Sequence, residues 1–531
     1  MRLGRALCLS VLLCACARPV DFDAAPNAKA HSTAVDRTPE IHRLEEKAAH
    51  ALLEENDPGR ALLLYRKAEF IGPLSRDALV LGARAAARKS QPHKAVEWLE
   101  LAVGAGFTDA QALRSTEEFA SLRGDPAWPR ILSWVERSTA GPPLQHGTGL
   151  EPSTPEAEGI DPAALAQLRK EAEVAHSSAL VLLRHGKLVG EWYFGGKPHR
   201  IEAMSATKSV VSLAVGLLLD DGKLASIDEH VATFFPEWRQ GPKSRITVRH
   251  LLNHTSGLFT HATTEKIYAS DDFVRYALDA PVDAEPGTTF AYNNSAINLL
   301  AGVVAAAAGE PLDEYLRHRL FGPMGIEDVT WSRDNVGNRH GMSGMQIHPV
   351  DFAKIGQMML DGGVWQGQRI VSEKWIREST QGPAQSLEPS CGLLWWLEPN
   401  ELVGVVDDAY LQALRDAGIP ARTVDALTKL KGQRIAADRL RDADVPQLKP
   451  YQRKRLREII RRNKAQPRTE VVGGYVGYSA LGYLGQYLFV LPEQQIVAVR
   501  MADYTDTVKE EVLTFSEFRQ RVRALVPTPP H

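Results

Sequence analysis

Cysteine is scarce in this chain, and strong charge of either sign is missing. Only four of the 531 residues are cysteine, and Cys8, Cys14 and Cys16 all lie within the first sixteen positions, which leaves Cys391. Disulfide-built secreted domains are far denser in cysteine. The formal net charge is −3, so the chain has no bulk attraction to nucleic acid and we expect no nucleic-acid partner.

Two chemical signatures are absent as well. The sequence contains no G-x-S-x-G, which argues against an α/β-hydrolase. It also contains no cluster of His, Cys or Asp with the spacing of metal ligands. We therefore expect neither a metal nor another cofactor.

The first sixteen residues have the pattern of a secretory signal. Two arginines precede an apolar stretch, Ala6 to Ala15, that is too short to span a bilayer. The stretch ends in Leu13-Cys14-Ala15-Cys16, which resembles a bacterial lipobox. The resemblance implies a lipoprotein signal peptide over residues 1–16 and lipidation of Cys16; an ordinary secretory signal is the alternative. A lipidated Cys16 would leave Cys391 without a partner for an internal disulfide.

A polar stretch follows the signal. Residues 17–39 are rich in Ala, Pro and Asp and have no periodicity, so we expect a flexible tether. The residue after the lipidated cysteine influences sorting, and Ala17 is not an aspartate, which favours the outer membrane. The predicted location is the cell envelope, with the chain lipid-anchored to the outer membrane and facing the periplasm.

Residues 40–137 are predicted to form an all-α domain of helical repeats. Ala and Leu recur there at three- and four-residue spacing, and several positions repeat after 34 residues, as Pro58 does at Pro92. This period resembles the tetratricopeptide repeat (TPR). The domain would be either a groove for a protein partner or a helical spacer. A linker rich in Gly, Pro, Ser and Thr follows at 138–160.

Residues 161–526 are predicted to form one α/β (α+β) domain. A β-hairpin begins near 178, two further strands lie near the C-terminus, and helical stretches fill the space between. We expect the terminal strands to pair in one antiparallel sheet flanked by helices. A charged and mostly helical insertion at about 398–470 is either a lid or a surface feature; charge runs usually face water, which favours the surface.

The sole S-x-x-K of the chain is Ser205-Ala206-Thr207-Lys208, and an apolar run follows it. The motif should therefore open a buried helix, where positions i and i+3 lie within reach of each other. A serine hydroxyl needs a neighbouring base, and a lysine can serve if burial depresses its pKa. The N-terminus of the helix adds positive potential where an oxyanion would form. Alone, the motif arises often by chance.

Two further motifs contribute to the same chemistry. Tyr292-Asn293-Asn294 is the only Y-x-N; the tyrosine could relay a proton, and the Asn294 amide could bind a substrate amide. Gly482-Tyr483-Leu484-Gly485-Gln486 precedes a strand, and its glycines would let the backbone approach a ligand. The Gln486 N–H is a candidate oxyanion donor beside the Ser205 N–H.

Taken in order, these motifs resemble those of the class C β-lactamase, esterase and D,D-peptidase family. The segments Leu251–Leu258, Asp351–Gly356 and Trp395-Trp396 also fit, and the resemblance covers roughly residues 150–526. It implies a β-lactamase-like fold, a catalytic set of Ser205, Lys208 and Tyr292, and substrate binding by Asn294, Tyr483, Gly485 and Gln486. In this family, the segment that contains His254 shapes the wall of the site, so that histidine is interpreted as structural.

The chain departs from the family at the third motif. Many β-lactamases of the group have K-T-G there, whose lysine helps to hold the antibiotic's carboxylate, whereas this chain has Tyr483. The departure favours an esterase or amidase that forms an acyl-enzyme on Ser205. A penicillin-binding D,D-peptidase or β-lactamase in the envelope is one alternative. The other is a TPR-mediated scaffold or sensor with a non-hydrolytic β-lactamase-like domain.

Overall fold

The fold is known from a computed structural model. It describes residues 38–72, 74–140, 149–261, 264–441, 447–461, 467–503 and 513–526. The predicted signal peptide, Cys16 and nearly all of the predicted tether lie outside the described residues, so lipidation and the envelope location stay predictions.

The described residues form runs of helices separated by short runs of strands. The helices are α1 (Thr38–Leu53), α2 (Pro58–Ile71), α3 (Arg76–Arg88), α4 (Pro92–Gly104), α5 (Ala110–Ser115), α6 (Ala127–Ala140), α7 (Pro162–Val174), α8 (Thr207–Asp220), α9 (Val248–Leu252), α10 (Glu265–Tyr268), α11 (Phe273–Asp279), α12 (Asn294–Ala308), α13 (Leu312–Leu316), α14 (Pro349–Leu360), α15 (Glu373–Thr380), α16 (Asp408–Asp416), α17 (Ala421–Thr428), α18 (Ala437–Arg441), α19 (Pro450–Arg461) and α20 (Phe515–Arg523). The strands are β1 (Glu151–Pro152), β2 (Ala179–Arg184), β3 (Lys187–Tyr193), β4 (Ile201–Glu202), β5 (Thr330–Trp331), β6 (Met345–Ile347), β7 (Val364–Trp365), β8 (Gln368–Arg369), β9 (Trp396–Val405), β10 (Ile435–Ala436), β11 (Arg468–Gly482), β12 (Gln486–Leu491) and β13 (Ile496–Met501).

The main sheet has eight strands in the order β1-β3-β2-β13-β12-β11-β9-β10. Neighbouring strands are antiparallel, except for the short parallel pair β1 and β3. The N-terminal strand β2 pairs with the C-terminal strand β13, from Ala179 opposite Met501 to Arg184 opposite Ile496. This confirms the predicted mixed α/β fold, in which strands from both ends of the domain share one antiparallel sheet flanked by helices.

Helices cover both faces of this sheet, which explains why its central strands are apolar almost throughout. Val181 and Val499 pack into the core with α8, α12 and α14, whereas Leu180 and Ala498 pack into a second core with α7 and α20. Because side chains alternate along a strand, strands buried on both faces need apolar residues at consecutive positions.

Helices α1 to α6 have a separate apolar core. The first four form two hairpins, and Pro58 and Pro92, which stand 34 residues apart, occupy the first turns of the second helix of each hairpin. Ala61 and Ala95 are fully buried where the helices approach each other. The predicted N-terminal all-α domain is therefore present, and its helices begin where the repeat places them. Its assignment as a TPR stays a prediction.

The segment 398–470 differs from its prediction. Its two ends are strands of the main sheet, β9 and β11; between them α16 to α19 enclose a small apolar core of their own. This unit joins β9 at Val405, nine residues from Trp396, or roughly 30 Å along an extended strand. The attachment point of this unit therefore lies at the end of β9 remote from Trp396, and its interpretation as a surface feature stays a prediction.

Within the described ranges, no single helix is long and apolar enough to cross a membrane. One bent pair, Asn294–Ala308 with Leu312–Phe321, passes the same test of length and composition, with an angle of 67° between its halves.

Candidate active site

Ser205 lies in a tight turn that leads into α8. Met204–Ala206 form one turn of 3₁₀-helix, and α8 is buried from Thr207 to Leu218, as its apolar run predicts. Met204 has a φ of +47°, a left-handed conformation that costs energy in a residue with a side chain. This conformation turns the chain sharply, so that Ser205 stands at the head of the helix.

Three other non-glycine residues with positive φ lie close to this turn: His254 at +58°, Leu394 at +62° and Leu484 at +66°. Strained backbone of this kind persists only where surrounding contacts impose it, and it concentrates at functional sites. The cluster marks this region independently of the motifs.

Lys208 lies one helical turn beyond Ser205, and its side chain is only 3% exposed. Its Nζ lies 2.9 Å from Ser205 Oγ and donates a hydrogen bond of 2.7 Å to the Met342 carbonyl. Burial holds the pKa of Lys208 well below its usual value of 10.5. Burial therefore favours the neutral amine, which lies where it can accept the serine proton.

Tyr292 completes the group around Ser205. A hydrogen bond joins the Tyr292 and Ser205 side chains, and Lys208 Nζ lies 4.9 Å from the centroid of the tyrosine ring. Burial raises the pKa of Tyr292 above its usual 10, against the effect of the hydrogen bond with Ser205. The phenol is therefore a protonated donor at neutral pH.

The two asparagines that follow have different surroundings. Asn293 caps α12: its Oδ1 accepts from the Ala296 N–H, and its Nδ2 donates to the Leu258 and Phe259 carbonyls. The Oδ1 atom of Asn294, in contrast, is buried and has no hydrogen-bond partner among the described residues. A buried acceptor without a partner is costly. Asn294 is not among the described residues that line the cavity beside Ser205, so substrate binding by Asn294 stays a prediction.

His254 is part of the wall. Its Nδ1 accepts a hydrogen bond of 3.3 Å from the Asn293 N–H, and its ring centroid lies 4.6 Å from that of Tyr292. Burial, together with the nearby Lys208, lowers the pKa of His254 to about 3. A neutral ring so engaged is a poor general base, in agreement with the structural interpretation.

The third motif is the turn between β11 and β12. Gly482 packs against the backbone that precedes Ser205, because a Cβ there would lie 2.5 Å from the Ala203 carbonyl oxygen. Gly485 has a φ of +83°, and its carbonyl accepts from the buried Arg500 guanidinium at 3.2 Å. A Cβ at Gly485 would overlap that guanidinium, so only glycine fits.

The other two residues predicted in this turn, Tyr483 and Gln486, have different surroundings. Tyr483 is 40% exposed, next to Gly482. The Gln486 side chain is buried and faces away: its Nε2 donates to the Ala502 carbonyl at 2.6 Å, and its Oε1 accepts from the Ala502 N–H at 3.0 Å. The structure thus places Gly482 against the serine turn, whereas the side-chain amide of Gln486 is hydrogen-bonded to the Ala502 backbone. A role for the Gln486 N–H as an oxyanion donor stays a prediction.

A cavity of about 10 Å³ opens at the serine. That volume accommodates about one water molecule, so most of any substrate would lie outside it. Its lining consists of Ser205, Lys208, Ser209, His254, Tyr292, Cys391, Leu394, Trp395 and Trp396.

Sequence reasoning missed Ser209, Cys391 and Leu394. Ser209 donates a hydrogen bond of 2.7 Å to the Leu394 carbonyl, which fastens this wall to α8. Ser209 follows Ser205 by four residues and so shares its helix face, a spacing that could have indicated it. Burial raises the pKa of the Cys391 thiol, so it is an uncharged part of the wall.

Glu202 lies three residues before Ser205. Its contribution to stability at different pH values tests the electrostatics around the serine turn. Its Oε1 accepts a hydrogen bond of 3.0 Å from the Gly344 N–H. Burial, with repulsion from Glu97 and Glu69, raises the pKa of Glu202 to about 7, from a usual value of 4.5. The native state therefore binds this proton more tightly than the unfolded chain does. Native stability is lost as the pH rises from about 4.5 to about 7, and no more is lost above that.

We expect Glu202→Gln to stabilise the protein at pH 8 by about 3 kcal/mol, because glutamine cannot ionise and still accepts from the Gly344 N–H. At pH 4 the variant and the wild type should be equally stable. Urea unfolding at both pH values measures the difference. A variant that is less stable than the wild type at pH 8 would contradict this account of Glu202.

Comparison with known proteins agrees with this arrangement. Residues 163–515, more than half of the chain, match the family model described as Beta-lactamase. The putative penicillin-binding protein PbpX of Bacillus subtilis is 24% identical over 36% of this chain and 57% of its own length. The 6-aminohexanoate-dimer hydrolase of Paenarthrobacter ureafaciens is 26% identical over 45% and 68%. Esterase EstB of Burkholderia gladioli is 29% identical over 33% and 53%.

The chain thus spans only about half to two thirds of the length of these relatives. Among solved structures, a putative beta-lactamase from Bacteroides dorei has a TM-score of 0.49 at 15% identity and covers 69% of this chain and 99% of its own. The match to the family model, which extends over both the serine turn and the terminal strands, shows that the chain belongs to the Beta-lactamase family.

Proposed function

We propose that the chain hydrolyses an uncharged ester or amide through an acyl-enzyme on Ser205. The observation that carries the proposal is the 2.9 Å separation between Ser205 Oγ and Nζ of a buried Lys208. A lysine kept neutral by burial can accept the serine proton as the oxygen attacks a carbonyl carbon.

The remaining proton transfers fall to Tyr292. In the first half-reaction, the Ser205 proton passes to Lys208, the tetrahedral adduct collapses, and Tyr292 protonates the leaving alcohol or amine. Lys208 then returns its proton to the tyrosine oxygen. In the second half, water attacks the acyl carbonyl and gives its proton to the same pair. The bond between the carbonyl carbon and Ser205 Oγ then breaks, and the pair passes this proton to Oγ, which releases the carboxylic acid and regenerates Ser205.

The negative charge that develops on the carbonyl oxygen needs fixed donors. The Ser205 N–H at the start of α8 supplies one, and we assign the second to a main-chain N–H of the Tyr483–Gln486 turn. Gly482 fixes that turn against the serine turn. Such donors act where charge develops in the transition state, and the loss of one typically costs about 10²–10³-fold in rate.

Charge favours a neutral substrate. Among the described residues that line the cavity, Lys208 is the only lysine or arginine, and it is bound to Ser205 and Met342. Tyr483 stands where a lysine would hold a carboxylate. Two of the relatives are named as an esterase and as a 6-aminohexanoate-dimer hydrolase, which supports ester or amide cleavage. The unpartnered Asn294 Oδ1 could accept the N–H of an amide substrate.

A fluorophosphonate probe tests the mechanism, because it reacts only with an activated serine. We expect one label per chain at Ser205, no label on Ser205→Ala, and normal labelling of Ser212→Ala, a buried serine of the same helix. A panel of short acyl esters, nitrocefin and D-Ala-D-Ala peptides then identifies the substrate class, and turnover of the esters is expected. Absence of label on folded wild type would refute the proposal; stable acylation by a fluorescent penicillin would replace it with a penicillin-binding function.

A further inference from the structure

Helix α4 of the N-terminal region is buried on two sides. One side packs Trp98 and Leu99 into the core of the helical region. Another side carries Glu97 and Glu100, whose exposures are only 5% and 1%, whereas Lys94, 7% exposed, pairs with Glu69 inside the helical region at 3.3 Å. Charged side chains are rarely buried without partners, so this polar side must be matched by another surface.

The matching surface belongs to the hydrolase domain. Glu97 Oε2 accepts a hydrogen bond of 3.2 Å from the Arg333 N–H and lies 3.2 Å from Lys94 Nζ. Glu100 lies 3.4 Å from the buried Arg333 guanidinium, and its carbonyl accepts from Arg200 at 2.8 Å. Ion pairs this deeply buried cost several kcal/mol when one partner is removed, so they hold the two surfaces in a fixed relation.

Arg333 belongs to the segment 331–344, which ends beside the catalytic lysine. The Asn298 side chain accepts from the Gly341 and Met342 N–H groups, at 2.9 and 3.1 Å. The Met342 carbonyl then accepts the hydrogen bond of 2.7 Å from Lys208. One short segment thus contacts α4 at its start and Lys208 at its end.

A second connection runs through Glu202. Its side chain accepts from Gly344, the last residue of the same segment, and Glu97 and Glu69 of the helical region repel its charge. Glu202 lies in β4, directly before the serine turn. The helical region therefore influences both the segment that binds Lys208 and the strand that precedes Ser205.

From these contacts we propose that Glu97 is a positioning residue, through which the N-terminal helical region holds the Met342 carbonyl and thereby Lys208 in its catalytic place. This inference rests on the proposed function. It gives the polar side of α4 an intramolecular role, distinct from those of a partner-binding groove and a passive spacer. A displacement of about 1 Å at a catalytic group can cost as much as 10²-fold in rate.

Three variants separate positioning from general stability. Glu97→Ala and Glu97→Gln both remove the charge beside Lys94, but only glutamine keeps an acceptor for the Arg333 N–H. Glu118→Ala removes a carboxylate that pairs with Arg84 inside the helical region. We expect Glu97→Ala to lower the rate constant of fluorophosphonate labelling at Ser205 at least about tenfold. Glu97→Gln should stay within about threefold of the wild type, and Glu118→Ala within about twofold.

A folded Glu97→Ala variant that is labelled at the wild-type rate, or one slowed no more than Glu97→Gln, overturns the positioning role alone. Failure to label the wild type overturns the proposed function, and this inference with it. If Glu97→Ala does not fold, the wild type in increasing urea decides. Labelling should then decline with the hydrogen-exchange protection of α4, and labelling that persists after α4 has exchanged freely overturns the inference.

Discussion

Replacement of Lys208 by methionine is expected to lower kcat/KM for a short acyl ester by about 10³–10⁴-fold, while the protein stays folded. Methionine preserves most of the length and apolar character of the lysine stem but cannot accept a proton. The site would lose the only base that lies at hydrogen-bond distance from Ser205 Oγ among the described cavity-lining residues. Steady-state kinetics on the ester and labelling by the fluorophosphonate measure the loss.

Lys208→Arg distinguishes a base from a fixed positive charge. Arginine stays protonated at all accessible pH values, so it preserves the charge and cannot act as a base. Both variants should be equally inactive. Lys223→Met, at an exposed lysine just beyond α8, serves as the matched control and should retain wild-type rates. Substantial activity in Lys208→Arg would show that the lysine acts through its charge.

The wild type should show the complementary pH dependence. Because burial depresses the pKa of Lys208, its neutral form persists to lower pH than that of an exposed lysine. The value of kcat/KM should fall as the pH decreases through that pKa, since the protonated amine cannot accept the serine proton. In Lys208→Met this acid limb should be missing from the residual rate.

Local motifs were the part of the site that the sequence could predict. Ser205 and Lys208 are three residues apart, and helix geometry alone brings such side chains together once the apolar run establishes a buried helix. The pairing of terminal strands was also predictable, because strand patterns lie at both ends of the domain and helical stretches fill the space between them. Tyr292 was identified through the family motif; its approach to Ser205 depends on the packing of α12 against α8.

The sequence contains no comparable signal for hydrogen bonds between site residues and the main chain. Any residue can present the carbonyl that binds Lys208, so nothing at Met342 identifies it in advance. In the third motif the sequence identified the glycines. It did not show that Gly482, and not the Gln486 side chain, lies against the serine turn. That depends on the register of β11 and β12, in which those two residues pair across the hairpin. Within residues 398–405, Pro399 and Asn400 interrupt the apolar pattern of β9, so the sequence does not show that this strand continues into the predicted insertion.

The contact between the helical region and the hydrolase domain could not be predicted from the sequence, for a different reason. Spacing within residues 40–137 reveals a repeat, but Arg333, which contacts both Glu97 and Glu100, lies more than 230 positions further along the chain. A repeat pattern shows which side chains are equivalent, and it does not show which of them meet another domain. From the sequence alone, the charged residues of α4 would be assigned to a solvent-facing surface.

Replacement of Tyr292 by phenylalanine is expected to lower kcat by about 10²–10⁴-fold on substrates with poor leaving groups. The variant loses only the hydroxyl that shares a hydrogen bond with Ser205. The ring can keep its contacts with His254 and Trp396, whose centroids lie 4.6 and 6.4 Å away, so the wall of the cavity should persist. Since the ring still fills its place, KM should change little.

The leaving group tests the role of the hydroxyl. A nitrophenolate departs without a proton, whereas an alkoxide or an amine must be protonated as it leaves. If Tyr292 supplies that proton, Tyr292→Phe should affect a nitrophenyl ester only slightly and an alkyl ester or anilide strongly. Tyr315→Phe removes another phenol hydroxyl, one bound to Asp221 beyond the end of α8, and should leave both rates unchanged. Equal losses on both classes of substrate would place Tyr292 at the attack of Ser205, because that step is common to both, and would leave the protonation of the leaving group to Lys208.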